Sequence, residues 1–348
     1  MPVARYRKCM QTGTCKYCPI GARYTAAYIL DELNNNYLYP NMVVRCDSPV
    51  RKITIQGDKA GIVVEGVNIH TGVSFSYLSR KVIVASGTIE TPKLLLASAD
   101  NGRYKKGIGN HSDQLGRNLV VHPFLYYRGN LNKDDKAKHV NPERHQQEYD
   151  FATLMSRHFD SEEYQNKGKL FLFKSRSRPR TKLGELMKGG VKQGEINSSI
   201  LNKAEFEIQA FMEDLPVRSN HVSLKQGQFD RFGLPISQIH YAQEEDFEPR
   251  MKFWLSKMKE LLEAMNASPS VNKKDYGMRP PRADHAAGTC RMSADPEDGV
   301  VDKNLKVWGT DNLYIISNAV FPNLGAVNPT LTLTSLALRL AEHLKEET

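Results

Sequence analysis

Two segments near the carboxyl end combine residue types that could do chemistry. Residues 285–292 read HAAGTCRM, and residues 326–332 read AVNPTLT. In the second, Asn328 and Pro329 precede an apolar stripe at helical spacing, which predicts a helix with Asn328 as N-cap and Pro329 at its first position. The stripe consists of Leu333, Leu336, Ala337, Leu340 and Leu344. A helix N-terminus presents unpaired N–H groups and about half a positive charge, so this one would stabilise an anion or an electron-rich ring edge such as that of a reduced flavin.

The first segment contains two further candidates for chemistry. His285 could act as a general base, but a lone histidine is more often a packed or surface residue than a catalyst. Cys290 has Thr289 and Met292 around it, which favours packing over nucleophilic catalysis. The helix at Asn328 could equally be an ordinary capped helix that closes a domain. The residues alone therefore leave the function open.

The elements that must position these segments follow two patterns. Residues 5–33 are interpreted as a cysteine-rich loop leading into a helix, and residues 42–87 as a strand followed by a small antiparallel meander. KVIVASGTIETPKLLLAS, residues 81–98, changes from strand to helix period across Ser86 and Gly87, which is typical of an α/β unit.

The middle of the chain, residues 124–280, has a different pattern. Aromatic-rich alternating stretches with one helix over 247–265 predict a mostly antiparallel sheet and hence a second domain. The last seventy residues return to α/β character. We therefore predict an α/β fold, α+β overall, in which residues 1–124 and 281–348 form one domain and residues 125–280 the other.

The composition excludes several classes of protein but does not identify the function. The 348 residues suggest about two domains, and the apolar and charged fractions, 40% and 25%, are those of a globular protein rather than a fibrous or disordered one. The net charge of +9 and the pI near 9.1 fit several kinds of partner. The densest basic run, Lys167 to Lys192, contains few aromatic residues that could stack on bases, so we expect no nucleic-acid partner. No secretory signal or apolar membrane span is visible, which favours a cytoplasmic location, or a periplasmic one if the true amino terminus is missing.

Five ordered segments together resemble the glucose–methanol–choline (GMC) family of FAD-dependent oxidoreductases. They are CPIGAR at 18–23, residues 81–98, GIGNHSDQLGRNLVVHP at 107–123, DRFGLPISQIHY at 230–241 and the tail over 285–332. The segment at 230–241 looks like the family stretch that closes the substrate-domain sheet. Within the tail, the matching features are His285, Gly288, Thr289, Met292, GVVD at 299–302 and NLYIISNAVFPNLGAVNPTLT at 312–332. Only residues 125–215 carry no specific signature.

The resemblance implies an FAD-dependent alcohol or sugar dehydrogenase or oxidase that transfers hydride to the flavin N5. It also implies that His285 acts as the base and that Asn328 orients the substrate oxygen. Ser317 stands where many members have an acidic residue, so the cofactor contact there is a departure from the family pattern. The implied cofactor-binding residues are Val50, Ser86, Gly87, Ser317, Asn318, Asn328, Pro329 and Thr330.

One expected element is missing from the sequence. An FAD-binding Rossmann half needs a G-x-G-x-x-G turn between a strand and a helix, and no such run is present. The chain therefore resembles the carboxyl-terminal portion of a GMC enzyme, with an incomplete FAD-binding domain. A gene fragment and a split enzyme with a separate amino-terminal FAD-binding half are the expected explanations. The alternative is a non-catalytic binding module that docks an acidic partner on the Lys167 to Lys192 face.

The cysteines near the amino terminus suggest a second cofactor. Cys9, Cys15 and Cys18 follow a C-x5-C-x2-C-P pattern, which could hold an iron–sulfur cluster. A subgroup of the family carries such a cluster near this position, with one more residue before the last cysteine. The alternatives are reduced structural thiols or a zinc site completed by Cys46. A cluster would favour a cytochrome as electron acceptor, in a separate subunit.

Overall fold

The computed structural model describes the chain in several ranges. The described residues are 25–34, 37–57, 61–131, 155–156, 164, 170–176, 190, 205–274, 276–278 and 285–347. The predicted cluster ligands Cys9, Cys15 and Cys18 lie outside them, as does most of the basic run from Lys167 to Lys192.

The predicted antiparallel meander is confirmed over residues 50–79, whereas the stretch at 81–87 is not part of it. It consists of three strands, β1 (Val50–Ile55), β2 (Ile62–Val67) and β3 (Ser74–Ser79). They pair in that order, with Ile55 opposite Ile62 across the first turn. The helix that precedes them, α1 (Ala27–Leu33), forms where the apolar spacing predicts a helix, but none of its residues is buried.

The predicted strand-to-helix unit at Ser86 and Gly87 is also confirmed. Strand β4 (Val82–Val84) leads into α2 (Gly87–Ala97), and β4 pairs in parallel with β13 (Leu313–Ile315). A short 3-10 helix, Asn318–Val320, and the last helix, α4 (Thr330–Glu346), follow. These elements share a core with the meander. Four residues of the predicted α4 stripe face this core, with Leu340 buried and Leu333, Leu336 and Leu344 partly buried, whereas Ala337 is exposed.

A second core lies between a six-stranded sheet and α3 (Phe247–Ala264). The strands are β5 (Phe124–Leu131), β6 (Met155–Ser156), β7 (Leu170–Arg176), β8 (Glu205–Met212), β11 (Ala267–Pro269) and β12 (Tyr276–Met278). Their order is β11-β5-β8-β7-β6, and β12 also pairs with β5. All the pairs are antiparallel, as predicted for this part of the chain. Trp254 and Met258 of α3 are fully buried against the sheet.

The stretch at 230–241 differs from its expected place. Strand β10 (Pro235–His240) pairs with β9 (His221–Phe229) in a separate two-stranded sheet and does not close the six-stranded sheet. Val222 of β9 is buried with Leu119 and Ala286, so the hairpin packs against the segments that carry the candidate site. The alternation in the sequence predicts a strand but does not show which sheet that strand joins.

In the part of the chain that the structure describes, no helix combines the length and apolar character needed to cross a bilayer.

Candidate functional site

The HAAGTCRM segment lies where the two cores meet, and backbone hydrogen bonds fix its course. Ala287 and Val120 exchange N–H···O bonds of 2.9 and 3.1 Å, and Gly116 N–H donates to the Thr289 carbonyl at 2.7 Å. On the other side, Cys290 N–H donates to the carbonyl of Ala319 at 2.8 Å. The segment that carries His285 is therefore bonded both to residues 116–120, which precede β5, and to the 3-10 helix.

The N-terminus of α2 is attached to the same segment. The Thr88 hydroxyl donates to the Ala286 carbonyl at 2.6 Å, and the Thr289 hydroxyl donates to the Thr88 carbonyl at 2.6 Å. Both threonines are buried. This pair of bonds places the predicted cofactor residues Ser86 and Gly87 beside the segment of His285.

His285 is paired with a second histidine that sequence reasoning missed. The Nδ1 atoms of His122 and His285 are 2.9 Å apart, and Nε2 of His122 lies 3.0 Å from the carbonyl oxygen of Gly325. Phe211 of β8 stacks on the His122 ring at 5.1 Å and makes an edge-to-face contact with the His285 ring. His122 is part of the motif at 107–123, but only its position directly before β5 could have pointed to it, because 163 residues separate it from His285.

The environment keeps His122 uncharged near neutral pH. Burial, and to a smaller extent the nearby His285, lower the pKa of His122 to about 4, while the bond to the Gly325 carbonyl opposes the shift. Only 5% of the His122 residue surface is exposed. A buried imidazole that loses its hydration is expected to be neutral.

We expect this histidine to make stability depend on pH in a defined window. Because the unfolded chain binds a proton near pH 6.5 and the folded chain only near pH 4, stability is fully present above about 6.5 and falls as the pH drops to 4. The full loss is about 3 kcal/mol. The difference in free energy of unfolding between the wild type and His122→Asn, measured in urea from pH 4 to pH 7.5, should change across this window. A difference independent of pH would contradict the assignment.

The loop 321–329 brings the second predicted segment to the histidine pair. Asn323 accepts from Gly325 N–H at 2.7 Å through Oδ1 and donates to Glu213 at 3.2 Å through Nδ2. These bonds hold the Gly325 carbonyl at His122. Asn328, three residues further on, is exposed, as is Thr330, whereas Pro329 is buried.

The start of α4 departs from the prediction by one residue. Pro329 occupies the N-cap position with helical φ and ψ, its carbonyl accepts the first helical bond from Leu333 N–H, and no side chain caps the helix. Asn328 is thus not the side-chain cap, since the rigid φ of proline already sets the first turn. The first N–H groups of this 17-residue helix lack a side-chain cap among the described residues, which suits an electron-rich ligand.

The remaining predicted cofactor residues lie in one region. Val50 and Ser86 line the same groove, together with Arg51, Glu90 and Lys93. Gly87 has a φ of +79° and open space where a Cβ would stand, so a ligand can approach its backbone closely.

Asn318 and Ser317 differ in their bonding. Asn318 Oδ1 is buried and accepts no hydrogen bond from the described residues, an arrangement that a bound ligand with a donor group would satisfy. The Ser317 hydroxyl already accepts from Ala319 N–H at 3.2 Å and caps the 3-10 helix. Asn318 is therefore the better-placed cofactor contact of the two.

Cys290 has the properties of a packing residue, as the sequence favours. Its residue surface is fully buried, and burial raises the pKa of its thiol, which keeps it protonated and unreactive. Cys46, the residue considered as completing a zinc site, is an exposed free thiol. Within the described ranges, no group of three or more His, Cys, Asp or Glu side chains is arranged to hold a metal ion.

Solved structures share this fold. A formate oxidase variant from Aspergillus oryzae superposes with a TM-score of 0.61 at 17% identity, covering 90% of this chain and 62% of that one. Pyridoxine 4-oxidase from Mesorbium loti gives a TM-score of 0.55 at 17% identity, covering 86% and 57%. The chain therefore shares the fold of these two structures over most of its length.

The family follows from two matches of family models. Residues 3–124 match the amino-terminal and residues 216–337 the carboxyl-terminal model of the GMC oxidoreductases. The two ranges cover more than half of the chain, and the chain belongs to the GMC oxidoreductase family. Family membership supports FAD as the cofactor, whereas none of the comparisons supports an iron–sulfur cluster.

Curated relatives are similar over most of this chain. The 6'''-hydroxyparomomycin C oxidase from Streptomyces lividus is 27% identical over 94% of this chain and 56% of its own length. The large subunit of fructose dehydrogenase from Gluconobacter japonicus is 26% identical, over 96% and 59%. A 2-methyl-1,2-propanediol dehydrogenase from Mycolicibacterium austroafricanum is 27% identical, over 80% and 50%. The chain spans about half the length of these relatives.

Proposed function

We propose that this chain carries the substrate-oxidising part of an FAD-dependent enzyme that converts a CH–OH group of an alcohol or sugar into a carbonyl group. The observation that carries the proposal is the placement of His285 where the two cores meet, bonded to His122 and beside the N-terminus of α2. The relatives described above support the substrate class, because their names refer to 6'''-hydroxyparomomycin C, to fructose and to 2-methyl-1,2-propanediol.

His285 would act as the general base. A hydroxyl-bearing carbon is a poor hydride donor until its O–H proton is removed or strongly hydrogen-bonded. An imidazole accepts that proton near neutral pH, and its bond to His122 restricts the direction in which it can do so. When bound, FAD supplies the hydride acceptor, and this chain supplies geometry and proton transfer.

Asn328 would orient the substrate oxygen. Its side chain is exposed at the start of α4, in the loop that Gly325 ties to His122. An amide can hydrogen-bond the same oxygen that His285 deprotonates, so the two residues would hold the reacting carbon in one orientation.

The FAD site would be formed by the residues that lie together around α2 and the 3-10 helix. The orphaned Oδ1 of Asn318, the open backbone at Gly87 and the uncapped start of α4 fit a ring system with both donor and electron-rich edges. Val50 and Ser86 would line the path toward the rest of the cofactor. In this proposal residues 1–124 and 281–348 form the FAD-binding part, and residues 125–280 form the substrate-binding part.

An amino-terminal FAD-binding half would complete the site. The sheet of β4 and β13 has only two strands among the described residues, and Ile83 of β4 is 46% exposed. On α4, Leu331 and Leu338 are 80% and 64% exposed. Apolar surface of this kind marks an interface, and a strand–turn–helix unit carrying a Gly-rich turn would cover it while binding the cofactor's phosphates.

Co-expression with such a half tests the proposal. We expect the full chain, expressed with a GMC amino-terminal segment that carries the Gly-rich turn, to copurify with that segment as a yellow complex. Anaerobic addition of alcohols and sugars should bleach the flavin absorbance for at least one of them. A control segment with its Gly-rich turn changed to alanines should still associate but remain colourless. A colourless complex with the intact turn would contradict the proposal.

The iron–sulfur cluster at Cys9, Cys15 and Cys18 and a separate electron-acceptor subunit stay predictions. The cysteines lie outside the described residues, and the proposed proton and hydride chemistry does not depend on them.

A further inference from the structure

His122 lies between two partners that together determine where its protons are. Its Nε2 is 3.0 Å from the Gly325 carbonyl oxygen, and its Nδ1 is 2.9 Å from Nδ1 of His285. A carbonyl oxygen can only accept a hydrogen bond, so Nε2 of His122 must carry a proton. The position of that proton is therefore set by backbone geometry.

The Gly325 carbonyl is itself held in place. Asn323 binds the N–H of Gly325 through one amide atom and Glu213 through the other, and Glu213 is buried directly after β8. The backbone beside His122 is fixed in a similar way, because Val121 N–H donates to the buried Asp214 at 3.0 Å. Asp214 also accepts from the Tyr241 hydroxyl at 3.0 Å. Both ends of the His122–Gly325 bond are thus attached to the end of β8 in the six-stranded sheet.

The remaining nitrogen of His122 then has one possible role. The side chain is buried and its pKa is lowered to about 4, so the ring is neutral near pH 7 and Nδ1 carries a lone pair. Two nitrogens 2.9 Å apart require one donor and one acceptor, and Nδ1 of His122 is the acceptor. Nδ1 of His285 must therefore carry the proton that it donates.

We propose that His122 is a positioning residue which, held by the Gly325 carbonyl, keeps His285 in its Nδ1–H tautomer and so directs the basic lone pair to Nε2. This inference rests on the proposed function for the identity of the base. In the step it serves, the substrate O–H bond breaks and a bond forms between that proton and Nε2 of His285. His122 stays neutral throughout and hands on no proton.

The aromatic contacts support a positional role over a merely space-filling one. The two imidazole rings are perpendicular, with centroids 5.0 Å apart, and Phe211 contacts both. This packing restricts rotation of either imidazole ring about its Cβ–Cγ bond. A ring flip, which would swap the positions of Nδ1 and Cδ2, would displace Phe211. A partner that sets the tautomer of a catalytic histidine is commonly a carboxylate; a neutral histidine does the same without a buried negative charge.

The tautomer can be measured directly and without flavin. In the full chain with ¹⁵N-labelled histidines, two-bond ¹H–¹⁵N correlation spectra at pH 7.5 distinguish protonated from unprotonated ring nitrogens, and the His285 signals are assigned by their loss in His285→Gln. We expect a protonated Nδ1 and an unprotonated Nε2 in His285 of the wild type. The reverse pattern would overturn the proposal.

Two variants of His122 separate the tautomer effect from simple disruption. His122→Asn places an amide oxygen near the position of Nδ1, so His285 should keep its Nδ1 proton. His122→Phe keeps an aromatic ring against Phe211 but offers no acceptor, so His285 should shift toward the Nε2–H tautomer. The same tautomer population in both variants would overturn the proposal, and if His122→Phe does not fold, the wild-type and His122→Asn spectra still decide.

The kinetic consequence is measured on the flavin-containing complex. The rate constant for flavin reduction at saturating substrate should fall by about 10²-fold in His122→Phe, close to the loss of a general base, while KM changes little. The rate constant in His122→Asn should be at least tenfold higher than in His122→Phe. Equal losses in the two variants would overturn the positioning role. Because the spectra need no flavin, failure of the wild-type complex to reduce flavin would refute the proposed function and leave the tautomer result standing.

Discussion

Replacing His285 with alanine is expected to slow reduction of the bound flavin by about 10²- to 10⁴-fold, the range that a positioned general base contributes. FAD should stay bound, because the candidate cofactor contacts at Gly87 and Asn318 belong to other segments. Anaerobic stopped-flow spectroscopy with saturating substrate measures the rate constant, and the absorbance spectrum measures flavin content. The loss should appear in the reduction step.

Two controls make the His285→Ala result specific. His70→Ala removes another histidine, one that pairs with Asp47 at 3.2 Å on the surface, and should leave flavin reduction unchanged. Added imidazole should restore part of the rate in His285→Ala, since the lost side chain leaves a space of matching shape. An unaltered reduction rate in His285→Ala, or a loss explained entirely by lost flavin, would remove His285 from the role of base.

Most of the regular structure could be predicted from the sequence because it depends on local patterns. The alternation in FLYYRGNL and EFEIQAFM marks β5 and β8, and the change of period at Ser86 marks the passage from β4 to α2. The pairing of strands that are far apart in the sequence is harder to predict from local patterns. The β9–β10 hairpin shows the same alternation as the six-stranded sheet, but Val222 is buried against Leu119 and Ala286 instead.

The candidate site could be predicted only in part, for a related reason. His285, Gly87 and Asn318 lie in motifs whose order along the chain is recognisable. His122 lies 163 residues before His285, and its role depends on two bonds, to His285 and to the Gly325 carbonyl, that exist only once the two cores meet. Similarly, Asn328 has the residue type of an N-cap, but the fixed backbone of Pro329 starts the helix without it.

Replacing Gly288 with alanine is expected to destabilise the chain by about 3–5 kcal/mol, from a combination of backbone strain and steric overlap. Gly288 has a φ of +93°, and a Cβ added there would stand 2.2 Å from the carbonyl oxygen of Asn118. That carbonyl cannot move away easily, because Leu119 N–H donates to Asn220 and Val120 is bonded to Ala287 on both sides. Urea unfolding followed by far-ultraviolet circular dichroism measures the loss.

Gly309→Ala provides the matched control for Gly288→Ala. Gly309 has a φ of +74° but no atom within 4 Å of its added Cβ, so only the backbone strain of about 1–2 kcal/mol remains. The excess loss in Gly288→Ala therefore measures the close approach of two backbones, three residues after His285. Equal losses in the two variants would show that the segment can relax, and a segment that relaxes could not hold His285 against His122 at a fixed distance. The stability experiment thus tests the rigidity on which the proposed base depends.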